Sequence, residues 1–243
     1  MRILIISDIH ANLTALETVL SKAGEVDATW CLGDLVGYGP DPNECIEQVQ
    51  ALPNLACILG NHDSAALNQI DPNTFNPEAR TAIQWTQRTL TEKSRKFLSG
   101  LPDKMVVEDV TITHGSPRHP VWEYLLDTRA ATISFTYFDT PFCFVGHTHL
   151  PVLYSLDDGS DYFANLRIPQ PNEAIELPVR SIANPGSVGQ PRDRDTRASF
   201  AIFDTETHIW DYQRTPYDIP SVQVRMQKAG LPERHIYRLA SGW

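Results

Sequence analysis

Five short polar motifs could carry chemistry, because each brings histidine, aspartate or asparagine directly after an apolar segment. The motifs are Asp8-Ile-His10, Gly33-Asp34, Gly60-Asn-His-Asp63, Thr113-His114-Gly115 and Gly146-His-Thr-His149. Imidazole nitrogens combined with carboxylate and amide oxygens suit divalent Mn, Fe, Co, Ni or Zn. Cysteine is absent from all five motifs, which disfavours a closed structural zinc site. Such a donor set is too large for one ion and predicts two ions that share a carboxylate.

The motifs differ in how specific they are. From the composition, Asp-x-His is expected about 0.6 times and Gly-Asn-His-Asp only about 0.001 times in a chain of this length. Taken alone, Asp8 and Asp34 could equally be ordinary strand-end residues, with Asp8 capping a helix, and His114 would more often be a strand-end histidine than a ligand. The joint occurrence of the five motifs favours a functional site over these structural explanations.

Short apolar segments predict the strands that position the first motifs, at residues 2–6, 28–32 and 55–59. Helices are predicted between them: Asn12 caps one that ends at Gly24, and Asp41 with Pro42 begins another that ends near Leu52. This alternation predicts parallel strands joined by right-handed crossovers in an α/β core. Ligands of such sheets bind beyond the carboxyl ends of the strands, where the motifs lie.

The pattern changes after two further helices, which begin at Asn76-Pro77 and at Thr91. From residue 105 to residue 212 short strands predominate, with one helical candidate at 128–138, and they predict a second sheet packed on the first. The polar stretch 157–178 predicts a surface insertion or elaborated hairpin, and residues 216–243 predict a tail with two short helices. We expect a single domain over residues 1–243, since no repeat or linker divides the chain.

Composition excludes several classes of protein. The 243 residues carry a formal net charge of −10, which disfavours binding to polymeric nucleic acid or to anionic lipid. Apolar runs are too short for a membrane helix or a signal peptide. The four cysteines show no CxxC spacing, and we expect them to be reduced core residues of a cytoplasmic protein. Neither a P-loop nor a Gly-x-Ser-x-Gly elbow is present.

On these five motifs, and in their order along the chain, the sequence resembles the calcineurin-like metallophosphoesterase superfamily. The segments 114–118, 122–125 and 184–191 and the closing Gly230-Leu-Pro232 are similar to its small bacterial and archaeal phosphodiesterase branch. The resemblance implies a four-layer αββα sandwich with two mixed sheets. It also implies that Asp8, His10 and His149 hold one metal ion.

By the same resemblance, Asn61, His114 and His147 hold the second ion and Asp34 bridges both. His62 would face the substrate and stabilise the transition state or protonate the leaving oxygen, oriented by Asp63. Two divalent ions can share a hydroxide that is formed at neutral pH and attacks phosphorus in line. We expect hydrolysis of small nucleotide phosphodiesters or phosphoanhydrides, with Mn favoured among the candidate metals.

Candidate contacts to the substrate are less specific. Arg118, Arg192 and Arg194 could bind a second phosphate in bidentate fashion, although solvated salt bridges are an equal alternative. Tyr38 and Trp122 could stack on a base, or serve only as packing residues. Asn12 is a further candidate, beside its role as a cap. The other histidines, His119, His208 and His235, are expected to be surface or structural residues.

Three alternatives to the phosphodiesterase stay open at this stage. The first is a phosphomonoesterase, and the second is a non-catalytic scaffold or binding protein on the same fold. The retention of His62 and of all seven metal-ligand positions favours the enzyme over the scaffold. The third, a DNA nuclease, is disfavoured by the acidic charge. Stretch 157–178 and the C-terminal helices are candidate interfaces for a homo-oligomer.

Overall fold

Two six-stranded mixed sheets lie at the centre of the computed structural model, which describes residues 1–156 and 163–243. The strands are β1 (Arg2–Ile6), β2 (Ala28–Cys31), β3 (Ala56–Cys57), β4 (Lys104–Val107), β5 (Val110–Thr113), β6 (Phe142–Phe144), β7 (Pro151–Ser155), β8 (Asn165–Arg167), β9 (Glu173–Glu176), β10 (Ser181–Pro185), β11 (Ala198–Asp204) and β12 (Ile209–Thr215). The first sheet has the order β3-β2-β1-β11-β12-β9, and the second has the order β4-β5-β6-β10-β7-β8. Parallel pairing joins β1, β2 and β3 in the first sheet and β5, β6 and β10 in the second.

Eight α-helices accompany these strands in the described part of the chain. They are α1 (Leu13–Ala23), α2 (Pro42–Gln50), α3 (Asn61–Ala66), α4 (Pro77–Thr89), α5 (Glu92–Ser99), α6 (Thr128–Ser134), α7 (Ile219–Lys228) and α8 (Glu233–Leu239). Side chains of Asn12, Asn76 and Thr91 cap α1, α4 and α5, as predicted. Asp41 does not cap α2. Its carboxylate instead binds the guanidinium of Arg225 at 2.9–3.1 Å, which ties α7 to the start of α2.

The core is layered because β1 is buried on both faces. Leu4 and Ile6 pack with α1 and α2, whereas Ile3 and Ile5 point into the space between the two sheets. Trp30, Phe144 and Trp210 are among the large side chains that fill that space. A third cluster packs α6 on the outer face of the second sheet. The layers therefore run helix, sheet, sheet, helix, and the predicted fold class is confirmed.

The sequence patterns missed one central strand. The missed strand is β10, which lies between β6 and β7 in the second sheet. Within 157–178, residues 157–162 lie outside the described part of the chain. In the described remainder, β8 pairs antiparallel with the preceding strand β7, and β9 pairs with β12, so the segment supplies one edge strand to each sheet.

The C-terminal helices pack over the carboxyl-end loops of the first sheet. Val222 and Met226 of α7 and Ile236 and Leu239 of α8 form one buried cluster with Tyr38. All four cysteines are buried and unbridged, in line with their prediction as core residues. None of the helices described has the length and apolar character needed to cross a bilayer.

Candidate metal centre

Loops after five strands bring the polar motifs together at one edge of the two sheets. Asp8 and His10 follow β1, Asp34 follows β2, and Asn61 and His62 begin α3 just after β3. His114 follows β5, and His147 and His149 follow β6. Each of these side chains is at most 4% exposed. Backbone hydrogen bonds join the loops, among them Asp8 N–H to Gly33 O at 3.0 Å and Gly146 N–H to His114 O at 2.8 Å.

The first donor cluster consists of Asp8, His10 and His149, whose ligand atoms lie within 4.8 Å of one another. Asp8 Oδ1 is 3.3 Å from His149 Nε2 and 3.8 Å from His10 Nε2. The two Nε2 atoms are 3.0 Å apart. Because each Nδ1–H donates to a backbone carbonyl, the facing Nε2 atoms of the neutral rings both carry lone pairs. A bound cation would relieve that repulsion.

The second cluster consists of Asp34, His114 and His147, again within 4.8 Å. Asp34 Oδ2 lies 3.3 Å from His114 Nε2, and Asn61 Oδ1 lies 3.1 Å from the same nitrogen. Asp34 also belongs to a third group with His10 and His62, and its Oδ2 is 3.7 Å from His10 Nε2. Asp34 is therefore the carboxylate common to both sides of the centre.

Backbone amides hold one oxygen of each carboxylate and leave the other free. Asp34 Oδ1 accepts from the His62 N–H at 2.8 Å, and Asp8 Oδ2 accepts from the His147 N–H at 3.1 Å. Asp8 Oδ1 and Asp34 Oδ2 are buried and face imidazole nitrogens, His149 Nε2 and His114 Nε2, each at 3.3 Å. Burying carboxylate oxygens is costly unless positive charge compensates them, and their convergence with imidazole nitrogens fits cation ligation.

Backbone carbonyls orient the four histidines of the two clusters through their outer nitrogens. His10 Nδ1 donates to Val36 O at 3.1 Å, His114 Nδ1 to Leu32 O at 2.7 Å, His149 Nδ1 to Gln190 O at 2.6 Å, and His147 Nε2 to Trp122 O at 3.2 Å. Such outer contacts fix the tautomer and the ring orientation of metal-binding histidines. The inward nitrogens, three Nε2 and one Nδ1, are thereby set toward the carboxylates.

Burial and neighbouring charge set the ionisation of the cluster. Desolvation lowers the pKa of His147 to about 3 and holds those of His10 and His149 well below the usual range, so these rings are neutral. Burial raises the pKa of Asp8 to about 7. Burial opposes ionisation of Asp34 as well, but the positive charge of His114 overcomes it and lowers the pKa of Asp34. Burial would likewise lower the pKa of His114, yet its contact with Asp34 raises it to about 10.

The backbone of the centre is held in an unfavourable conformation. Asp8, His10, Asp34, His147 and His149 all have φ between 50° and 66°, the left-handed region that non-glycine residues seldom adopt. Strain of this kind persists where the surrounding structure imposes it, and it clusters at functional sites. Close packing adds to the constraint, because a Cβ at Gly60 would meet the Asp34 carboxylate.

His62 differs from the other histidines of the centre in its contacts. Its Nδ1 finds no hydrogen-bond partner among the described residues. The ring contacts Tyr38 at a centroid distance of 4.4 Å, His10 at 5.0 Å and Phe75 at 5.1 Å. Desolvation lowers the pKa of His62 to about 4. A backbone carbonyl orients each of the four cluster histidines, whereas none of the described residues does so for His62.

The expected contact between Asp63 and the His62 ring is absent, which corrects the sequence-based interpretation. The carboxylate of Asp63 accepts from the backbone N–H of Gly60 and of Val36, each at 3.0 Å. Asp63 is the third residue of α3, where a side chain reaches back to the start of its own helix. It holds the loop that carries His62 rather than the imidazole itself.

The predicted substrate contacts are placed in three different ways. Arg118 forms an ion pair with Glu123, the alternative that the sequence left open. Asn12 uses its side chain to cap α1 and to donate to Gly189 O at 2.9 Å. Tyr38 and Arg192 lie together at the centre, where Arg192 Nη2 donates to the Tyr38 hydroxyl at 3.3 Å. Contact of any of them with substrate stays a prediction.

Several neighbours of the centre escaped sequence reasoning. The Tyr124 ring stacks on His147 with a centroid distance of 3.8 Å, and Phe75 bridges His62 and Trp122. From the C-terminal tail, His235 contacts the Tyr38 ring at 4.5 Å. No spacing in the sequence relates these residues to the motifs, because packing alone brings them together.

The fold and the paired clusters fit a site for two divalent metal ions between two facing sheets. A model of the calcineurin-like phosphoesterase superfamily domain matches residues 1–208, and the chain belongs to that superfamily. A crystal structure of a metallophosphoesterase from Sphaerobacter thermophilus is 48% identical, with a TM-score of 0.91 over 100% of this chain and 99% of that one.

Two further relatives come from sequence comparison. An uncharacterized protein of Methanocaldococcus jannaschii is 38% identical over 240 residues, 95% of this chain and 94% of that protein. A symmetrical bis(5'-nucleosyl)-tetraphosphatase of Baumannia cicadellinicola is 32% identical over 96 residues, 33% of each chain. The first similarity spans nearly the whole chain, and the second only a third of it.

Proposed function

We propose that this protein is a dinuclear-metal-dependent phosphodiesterase that hydrolyses small nucleotide phosphodiesters or phosphoanhydrides. The observation that carries the proposal is the pair of buried clusters, in which Asp8 Oδ1 and Asp34 Oδ2 each face an imidazole nitrogen at 3.3 Å. Asp34 Oδ2 also lies 3.7 Å from His10 Nε2 of the first cluster, so this carboxylate is placed between the two. Asp8, His10 and His149 would hold one ion, and Asn61, His114 and His147 the other. The imidazole and oxygen donors suit Mn, Fe, Co, Ni or Zn, and among these we favour Mn.

Two bound divalent ions would supply positive charge for the phosphate oxygens and lower the pKa of water, so that a nucleophile forms near neutral pH. The residues of the chain perform the remaining tasks. Backbone amides at His62 and His147 fix the carboxylates, and backbone carbonyls fix the four ring orientations. The donor set is thus preorganised, which limits reorganisation during the reaction.

His62 is the candidate catalytic residue. One of its ring nitrogens lies within 4.8 Å of ligand atoms of His10 and Asp34. No backbone carbonyl of the described residues accepts a hydrogen bond from its Nδ1. A histidine so placed can donate a hydrogen bond to a phosphate oxygen or a proton to the leaving oxygen. Asp63 does not contact the His62 ring and instead holds the first turn of α3, which carries His62.

Three observations support a small nucleotide substrate. The net charge of −10 disfavours polyanionic polymers. Tyr124, 46% exposed, and Trp122, 38% exposed, border the centre and could stack on a base. The relative from Baumannia cicadellinicola carries the name of a dinucleoside tetraphosphatase.

We also propose a cytoplasmic location, because the buried, unbridged cysteines fit a reducing compartment.

Hydrolysis of bis(p-nitrophenyl) phosphate beside p-nitrophenyl phosphate tests the proposal. Metal-stripped protein is assayed with Mn, Ni, Mg or Zn added in turn, for wild type, His62→Ala and His208→Asn. We expect metal-dependent cleavage of the diester and a loss of about 10²-fold in His62→Ala. His208 lies beside β12 at the opposite edge of the sheet, so its variant should retain full activity.

Each other outcome selects an alternative. Preference for the monoester in every metal would make the protein a phosphomonoesterase. If folded, metal-loaded protein hydrolyses neither substrate, a non-catalytic scaffold on the same fold would be favoured. Equal turnover of His62→Ala and wild type would remove His62 from the mechanism.

A further inference from the structure

Two arginines without carboxylate partners among the described residues lie beside the first donor cluster. Arg192 follows the strand-end loop that carries Gln190, and Arg238 lies on α8. Both guanidinium groups donate to the same atom, Gln190 Oε1, at 3.3 and 3.4 Å. In the described part of the chain neither arginine takes part in an ion pair, whereas Arg118, Arg214 and Arg225 do.

The pair is connected directly to the metal centre. The backbone carbonyl of Gln190 orients His149. The Arg192 guanidinium lies 5.7 Å from the centroid of the Tyr38 ring, which is itself 4.6 Å from the His10 ring. The arginines therefore lie across Tyr38 and Gln190 from the cluster of Asp8, His10 and His149.

Two buried hydrogen-bond donors beside the pair are unsatisfied. Arg192 Nε and Gln190 Nε2 are buried and have no acceptor among the described residues. Gln190 is 1% exposed. Buried polar atoms normally find partners, and two N–H donors beside two like charges leave an anion as the group that would satisfy them.

Nearby carboxylates do not neutralise the arginines. Asp193 pairs with Arg214 through Oδ2 and forms no ion pair with either arginine, and Glu78 pairs with Arg234 at 3.5 Å. Two cations that share one acceptor repel each other, and burial together with the charge of Arg192 lowers the pKa of Arg238. Packing of α7 and α8 around Tyr38 holds them together despite this repulsion.

We propose that Arg192 and Arg238, with Gln190 and the Tyr38 hydroxyl, form an anion subsite that binds a second phosphate of the substrate. The preferred substrates are then molecules with a phosphate chain, such as nucleoside polyphosphates, rather than cyclic nucleotides. A cyclic nucleotide has one phosphate, which the metal centre itself would bind, whereas a chain extends a further phosphate to the planar guanidinium groups. This inference rests on the proposed function and names its substrate class. Arg238 lies beyond residues 1–208, so the superfamily match does not include it.

The test compares kcat/KM for diadenosine tetraphosphate with kcat/KM for bis(p-nitrophenyl) phosphate, in wild type, Arg238→Gln and Arg238→Lys. We expect the ratio of the two constants to fall about tenfold or more in Arg238→Gln, mainly through KM for the tetraphosphate. In Arg238→Lys the ratio should fall less, because lysine keeps the positive charge but lacks the planar, bidentate donors of the guanidinium group. Arg234→Gln is the matched control: it removes the same charge from the same helix, at an exposed residue paired with Glu78.

A ratio that is unchanged in Arg238→Gln, or that falls equally in Arg234→Gln, would overturn the subsite. A second readout does not need turnover. Calorimetry with adenosine 5'-(β,γ-methylene)triphosphate and with AMP should show tighter binding of the triphosphate analogue by metal-loaded wild type, and loss of that preference in Arg238→Gln. If no metal supports hydrolysis of the diester, the proposed function fails. The binding preference then still decides whether the arginines recognise a phosphate chain.

Discussion

The position of the His62 ring depends on the absence of a side chain at residue 37. Gly37 has φ of +93°, and a Cβ built on it would lie 2.6 Å from His62 Nδ1 and 3.0–3.1 Å from two further atoms of His62. Ordinary contact begins near 3.4 Å, so in Gly37→Ala the ring would have to move by about 0.8 Å, and a 1 Å misplacement at an active site can reduce turnover about 10²-fold. We therefore expect Gly37→Ala to lower kcat about 10- to 100-fold.

Gly24→Ala is the control that separates the effect of the steric clash from the effect of backbone strain. Gly24 has φ of +67°, and a methyl group added there would meet no heavy atom within 4 Å, so its substitution introduces strain of about 1–2 kcal/mol and no clash. For a chain of this size that corresponds to a decrease in Tm of about 2–8 °C. Both variants should lose stability, and only Gly37→Ala should lose turnover.

The assay measures kcat with bis(p-nitrophenyl) phosphate at saturating metal, together with Tm and metal content. Wild-type kcat in folded, metal-loaded Gly37→Ala would refute the reasoning that links this close approach to His62. A loss of turnover in Gly24→Ala of the same size would refute it as well, because general destabilisation would then account for both.

Three other predictions concern the metals and the acid stability. Asp34→Asn should reduce the content of both ions, measured by mass spectrometry, because its Oδ2 faces both clusters; retention of two tightly bound ions would contradict a shared carboxylate. A metal at one hundred times its Kd should stabilise wild type by about 2.7 kcal/mol in urea unfolding, and an unchanged transition would argue against a preformed site. Burial lowers the pKa of His235 to about 4, so between about pH 6.5 and pH 4 the unfolded chain binds the extra proton and stability falls as the pH falls. Wild type should therefore lose about 2 kcal/mol more than His235→Phe between pH 7 and pH 5, and equal losses in the two proteins would exclude His235 as the cause.

Local signals predicted the elements that carry the site. The strand before Asp8 and the helices capped by Asn76 and Thr91 follow from patterns that span only a few residues. β10 escaped because its five residues include Asn184 and Pro185, which are typical of turns, and its pairing with β6 and β7 is entirely non-local. The strands within 163–178 escaped for a similar reason, since polar edge strands have no apolar pattern.

The sequence by itself determined the donor types, their order and their location after strands, since parallel strands bring their carboxyl ends to one edge. Only the tertiary structure decided which atoms of those residues face one another. The carbonyl that orients His149 comes from Gln190, 41 residues later, and the amide oxygen that faces His114 Nε2 comes from Asn61, 53 residues earlier. Asp63 caps its own helix, Arg118 pairs with Glu123, and Arg192 meets Arg238 at Gln190. These choices depend on packing between distant segments, and no local propensity encodes them.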